Sequence, residues 1–223
     1  MILVGQYDSP FVRRVAVALH LYGMPFTRDR TSVFSAAMAR VNPLVRIPSL
    51  ILEGGDGAVA AESDTLYDSV AILDHLDETA GADKALMPPA GVERRSVMRL
   101  TVLAVGATEK AGAVVYERHL HATECVSHEW VSRCEGQLGG VLEHLDRACA
   151  VATPWLFGDR ITHADIAAAC LVFFVRMRLP EALPEGRFAA LEALAARCEV
   201  LDAFREARPS EDEVMPDKGS ARR

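Results

Sequence analysis

The chain has 223 residues, 50% of them hydrophobic and 25% charged. At roughly 100–200 residues per domain, that length fits one large domain or two small ones, and so apolar a chain is not a disordered one. Lys and Arg number 24 against 31 Asp and Glu, a formal charge of −7. This argues against a nucleic-acid partner, because neutralising phosphates needs a basic surface.

In chain order, Ile2–Val4 is a short apolar run that suits a buried strand. Ser9-Pro10 reads as a helix start, with serine at the N-cap and proline at the first helical position. Phe11, Val15, Ala18, Leu19 and Tyr22 recur at helical spacing, and Gly23 supplies a C-cap. The stretch up to Asn42 is left without an assigned element. Pro43 and Pro48 bracket a loop, and Ser49 to Leu52 reads as a strand. Glu53-Gly-Gly-Asp-Gly57 is a turn cluster, and the apolar stretch from Ala58 reads as a returning strand. Asp68-Ser69 opens another helix with Val70, Ile72, Leu73 and Leu76 apolar. Residues 81–91 contain Met87-Pro-Pro-Ala90 and read as a linker. Helical patterns then run over 93–119, 123–150, 162–178 and 188–207, broken at Thr153–Gly158. The polar stretch from Pro209 to Arg223 reads as a frayed tail.

No apolar run approaches the ~18 residues of a membrane span, and the N-terminus lacks the basic and apolar regions of a signal peptide. Cys125, Cys134, Cys149, Cys170 and Cys198 are widely spaced and make no Cys-x-x-Cys. No Cys/His group has zinc-ligand spacing, so no metal is expected. Reduced thiols in the cytoplasm are the simplest reading.

Four constellations can carry chemistry. Ser9 stands at the start of a helix, whose free N–H groups and partial positive charge favour an anion such as a thiolate. Ser9 is either a thiol partner or an N-cap alone. Arg46-Ile47-Pro48 precedes a strand. Cis bonds occur at only ~5–6% of X–Pro sites, so the residues by themselves favour an ordinary loop proline, and Arg46 is either a carboxylate partner or a solvated charge. Asp68-Ser69 can hold an ammonium and a carboxylate, or simply cap its helix. Thr162-His-Ala-Asp165 is a capping box with Asp in the place of the usual Glu or Gln.

Together these features resemble the cytosolic glutathione S-transferase superfamily over roughly residues 1–207. Ser9-Pro-Phe-Val-Arg-Arg-Val-Ala-Val-Ala-Leu19 is similar to the start of the serine-type enzymes, the Tau class and related bacterial forms included. Asn42-Pro-Leu-Val-Arg-Ile-Pro-Ser-Leu50, Leu66-Tyr-Asp-Ser-Val-Ala-Ile72 and Gly158–Asp165 resemble the family's later motifs in the family's order. The resemblance implies a thioredoxin-like α/β domain over 1–80, a linker over 81–91, an all-α domain over 92–207 and a polar tail over 208–223. It implies glutathione as co-substrate, a small electrophilic second substrate and usually a homodimer.

Carried over residue by residue, Ser9 matches the thiol-activating serine, with Tyr7 as the alternative from tyrosine-type relatives. Phe11 falls within the same motif and joins the glutathione site. Ile47 matches the residue whose backbone meets the cysteinyl part of glutathione, with Pro48 cis behind it. Arg46 matches a basic position that reaches the glycine carboxylate in some classes, and Asp68 and Ser69 match the pair that holds the γ-glutamyl end. Glu62-Ser63 repeats the acidic–Ser pair, but the helical pattern of Ile72 and Leu76 follows Asp68-Ser69 directly. The family's architecture points to Val102, Leu103, Gly106 and Lys110 for the second substrate. The activity implied is conjugation of the glutathione thiolate to an electrophilic, apolar molecule, in a detoxifying role. The alternatives are a glutathione-dependent peroxidase or isomerase on the same fold, or a non-catalytic binding or regulatory protein. The cysteine that zeta-type isomerases carry beside the active serine is absent, since Pro10 follows Ser9.

Overall fold

A computed structural model describes residues 1–52 and 64–213. Two compact units divide the chain: Met1–Pro89 together with the described residues from Leu201, and Ala90–Val200.

In the first unit, β1 (Ile2–Val4) leads into α1 (Pro10–Tyr22), which returns the chain to β2 (Thr27–Asp29) parallel to β1. A short helix α2 (Met38–Val41) precedes β3 (Ser49–Ile51) and β4 (Thr65–Tyr67), and α3 (Ser69–Ala80) follows. The sheet order is β2-β1-β3-β4, with β3 antiparallel to both its neighbours. Leu3, Val4 and Leu50 of the sheet and Val12, Val15 and Leu19 of α1 are fully buried, with Ile72 and Leu76 of α3. Proline at the first position of α1 gives up a donor that the helix end leaves unpaired in any case. Gly23 closes the helix in the left-handed conformation, its N–H bonding back to the last turn.

The strand that pairs with β3 is Thr65–Tyr67. The stretch from Ala58 that the sequence offers for this role lies outside the described residues, as do the Glu53–Gly57 turn and Glu62-Ser63. The backbone N–H of Leu52 bonds the Asp64 carbonyl at 2.8 Å, which prolongs the pairing by one step. The segment read as a linker is held to the first unit. Leu86 and Met87 are buried, and the Asp77 carboxylate accepts from the Leu86 N–H at 3.0 Å.

In the second unit, the long α4 (Gly91–Leu120) packs on α5 (His128–Cys149) and on α6 (His163–Arg178), and α7 (Ala189–Glu199) closes the bundle against α5 and α6. Helix α5 starts at His128, later than the pattern from Thr123 predicts, because the Ser127 side chain caps it by accepting from Trp130 N–H. The single helix expected over 188–207 is two. The chain leaves α7 at Val200, and α8 (Asp202–Glu206) belongs to the first unit. The expected frayed tail is packed in its first part, for Glu213 is buried. No helix among the described residues is long and apolar enough to cross a membrane.

Candidate active site

Three of the four constellations meet at one end of the sheet. Val4, the last residue of β1, stands opposite Ser49, the first of β3, and Ser49 stands opposite Tyr67, the last of β4. The Gly5–Ser9 loop, the Arg46–Pro48 segment and the Asp68–Ser69 helix start therefore issue side by side. The fourth constellation, Thr162–Asp165, lies in the second unit.

Ser9 is the N-cap of α1, in extended conformation, and is half-buried. Its Oγ accepts from Val12 N–H at 3.5 Å. That is long for an N–H···O bond, so the oxygen is weakly engaged and the O–H remains able to donate to an anion. Phe11, in the first turn behind it, is half-buried. Gly5, to which the sequence reading gave no role, lets the loop come close. Its φ is +134°, and a Cβ there would lie 2.6 Å from Val12 Cγ2 and 3.0 Å from Ile47 Cβ. Only glycine tolerates both that conformation and that approach.

The Ile47–Pro48 bond is cis. Asn42 organises the turn before it. Buried, it donates from Nδ2 to the Arg46 carbonyl at 2.9 Å and to Ser49 Oγ at 3.3 Å, while its Oδ1 accepts from Leu44 N–H at 2.9 Å. Arg46 and Val45 are exposed, and Val45 holds a left-handed φ of 51°. A β-branched residue adopts that conformation only when its surroundings impose it.

Asp68 caps α3 through Oδ1, which accepts from Val70 N–H at 2.9 Å. It is exposed and holds a φ of 69°, a costly conformation for a residue with a Cβ. Ser69 beside it is buried, and its Oγ accepts from Arg14 Nη1 at 3.3 Å. The guanidinium has no lone pair to offer, so this bond uses one lone pair of Ser69 and leaves its O–H to donate elsewhere. Arg14 is a second residue that the sequence reading left without a role. It is read there only as part of the helical run.

Tyr7 differs from Ser9 in its surroundings. Its side chain is 1% exposed, and the Arg28 guanidinium lies 3.4 Å from the ring centroid. Burial pushes its hydroxyl up to about 12, against the pull of Arg28. Four of the five cysteines are withdrawn as well. All five are free thiols, with Cys134, Cys149, Cys170 and Cys198 buried and Cys125 exposed. Burial pushes Cys149 up to about 12 and Cys198 higher still.

Of the residues named for a second substrate, Val102 and Leu103 line an open cleft of about 630 Å³ in the second unit. Met98, three arginines of α4 and His144 of α5 complete it. Gly106 and Lys110 are not among its lining residues. Gly106 has open space where a Cβ would be, and the Lys110 ammonium lies 5.8 Å from the ring of Trp130. At the start of α6, Thr162 and Asp165 form the capping box. Asp165, with no exposed surface, accepts from Thr162 N–H at 2.9 Å, Thr162 Oγ1 at 2.7 Å and Leu156 N–H at 2.8 Å.

A four-stranded mixed sheet with α1 and α3, followed by an all-helical unit, defines a thioredoxin-like domain joined to a helical one. The glutathione S-transferase N-terminal domain family matches residues 3–84, and the glutathione S-transferase C-terminal domain family matches residues 129–207. The chain belongs to the glutathione S-transferase superfamily. The uncharacterized GST-like protein YibF of Escherichia coli is 28% identical over 180 residues, covering 80% of this chain and 83% of its own. A probable maleylacetoacetate isomerase of Vibrio cholerae is 28% identical and covers 97% of this chain and 98% of its own. A glutathione S-transferase of Methylobacterium radiotolerans, solved in complex with glutathione sulfonate, superposes with a TM-score of 0.85 at 27% identity. That match covers 96% of this chain and 97% of the other.

Proposed function

We propose that the chain is a glutathione-dependent transferase in which Ser9 stabilises the glutathione thiolate for attack on an electrophilic, apolar small molecule. The observation that carries this reading is the convergence of the Ser9 helix start, the Ile47 backbone and the Ser69 hydroxyl at one end of the sheet. In it, the Ile47 backbone meets the cysteinyl part of glutathione beside cis Pro48, and Arg46 meets the glycine carboxylate. Asp68 takes the γ-glutamyl ammonium, and the Ser69 O–H, freed by Arg14, takes its carboxylate. Phe11 packs behind the thiol. Val102 and Leu103, with Gly106 and Lys110 further along α4, bear on the second substrate.

Magnitudes support serine in this role. Lowering a thiol pKa by about two requires about 2.7 kcal/mol of preference for the anion. A hydrogen bond to a charged group contributes roughly 1.5–3 kcal/mol, and a helix N-terminus about 0.3–1 kcal/mol more. The burial of Tyr7 beneath Arg28 supports Ser9 over Tyr7.

Ser9→Ala is expected to lower conjugation of glutathione to an activated aryl halide by about 100-fold, as loss of one donor to a reacting anion does. Tyr7→Phe is expected to leave it within about threefold. Unchanged turnover in Ser9→Ala overturns the assignment.

A second reading, glutathione-dependent isomerisation, is supported by the name of the Vibrio cholerae relative and its near full-length match. The same thiolate would add to a conjugated double bond and be eliminated after rotation. Titrating free thiol during turnover separates the two, because conjugation consumes one glutathione per product and isomerisation consumes none. The proposal includes a cytoplasmic homodimer.

A further inference from the structure

Glu213 lies 204 residues beyond Ser9, yet its carboxylate is built into the loop that carries Ser9. Its side chain has no exposed surface. Oε1 accepts from the backbone N–H of Tyr7 at 3.3 Å and from the Arg28 guanidinium, and Arg30 Nε stands 3.5 Å from it. Oε2 accepts from Ser210 N–H at 3.1 Å and Ser210 Oγ at 3.0 Å. Both oxygens are thus engaged, and the guanidinium that binds one of them also covers the Tyr7 ring. The segment that brings Glu213 here is itself fastened. Arg13 of α1, fully buried, donates from Nε to the Ala207 carbonyl at 3.1 Å and from Nη2 to the Phe204 carbonyl at 3.3 Å.

Tyr7 is two residues from Ser9, and the Ser9 N–H closes a turn onto Gln6. A carboxylate gripping the Tyr7 N–H from one side and Arg28 from the other fixes where that turn sits. Gly5 N–H bonds the Asp29 carbonyl at the start of the loop, and the Glu213 carboxylate ties the loop at its middle through Tyr7 N–H. We infer that Glu213 is a positioning residue: it holds the Gly5–Ser9 loop in the geometry that presents Ser9 to glutathione. The inference rests on the reading of Ser9 as the thiol partner, and its test separates the two.

The test uses the full chain, wild type and with Glu213→Gln or Glu213→Ala. Peptide-resolved hydrogen exchange over residues 5–12 reads the tie itself and does not depend on what the site binds. In the wild type, the Tyr7 amide is expected to be protected. Exchange in that peptide is expected to rise about tenfold in Glu213→Ala and less in Glu213→Gln, which keeps a neutral acceptor for the Tyr7 N–H. The KM for glutathione is expected to rise about tenfold in Glu213→Ala, with the KM for the second substrate unchanged and Glu213→Gln in between. A wild-type Tyr7 amide that exchanges like a free loop amide overturns the inference. So does a glutathione KM unmoved in both variants while Ser9→Ala still lowers turnover. If Ser9→Ala is silent but the exchange rises, the Ser9 assignment has failed and the tie stands as structural.

Discussion

Tyr7 and Ser9 stand two residues apart and differ chiefly in what covers them. The Tyr7 hydroxyl, pushed up to about 12 by burial, is held in its neutral form by the fold. A raised folded-state value means that the stabilisation is complete below the unfolded value near 10 and is lost as the pH climbs towards 12. Wild type is therefore expected to lose about 2–3 kcal/mol more between pH 10 and 12 than Tyr7→Phe, measured by urea unfolding of each. An identical slope for the two proteins would mean that Tyr7 titrates as an exposed phenol. The sequence reads Ser9 as a helix start, where it stands, and offers Tyr7 as its alternative. It could not rank them by burial, because Arg28 and Glu213 come from β2 and from the far end of the chain.

At the level of elements, local chemistry was readable wherever it was local. Ser9-Pro10 and Gly23 mark both ends of α1, and Thr162 with Asp165 marks the start of α6. The capping box carries a prediction of its own. Asp165→Ala leaves three donors without their acceptor: the buried Thr162 N–H and Thr162 Oγ1, and the half-buried Leu156 N–H. The lost cap and the unpaired groups together are expected to cost about 3 kcal/mol, seen as a lower urea midpoint by circular dichroism. A loss below about 1 kcal/mol would show that water replaces the carboxylate. Elements without a local signal were missed. Thr27-Arg-Asp29 is a three-residue edge strand with no apolar alternation, and Met38–Val41 is a single helical turn. Gly5 acts through space that a side chain would fill and Arg14 through a partner distant in sequence, while Asn42 acts through hydrogen bonds within its own turn. No periodicity reports any of these. The helix read across 188–207 shows the reverse error. An apolar pattern continues through Val200 and Leu201 while the chain passes from one unit to the other.

For the whole molecule, the cysteines give a simple measure of closure. With Cys125 exposed and the other four buried, native protein is expected to take up one maleimide per chain quickly and five in denaturant. Rapid labelling of two or more in the native state would mean that the helical bundle opens readily. The first unit closes by a different route, because it is discontinuous: Met1–Pro89 is completed by the described residues from Leu201. A ribosome adds roughly 5–20 residues per second, and domains fold as their residues emerge. The sheet, α1 and α3 leave the ribosome while Phe204, Ala207 and Glu213 do not yet exist. During that interval Arg13 lacks the Phe204 and Ala207 carbonyls, and Arg28 lacks the Glu213 carboxylate. The intervening helical bundle can form before they arrive. The half that begins the chain is thus the last to be finished, and a nascent chain stopped short of Glu213 carries a complete set of strands around an unfastened Ser9 loop.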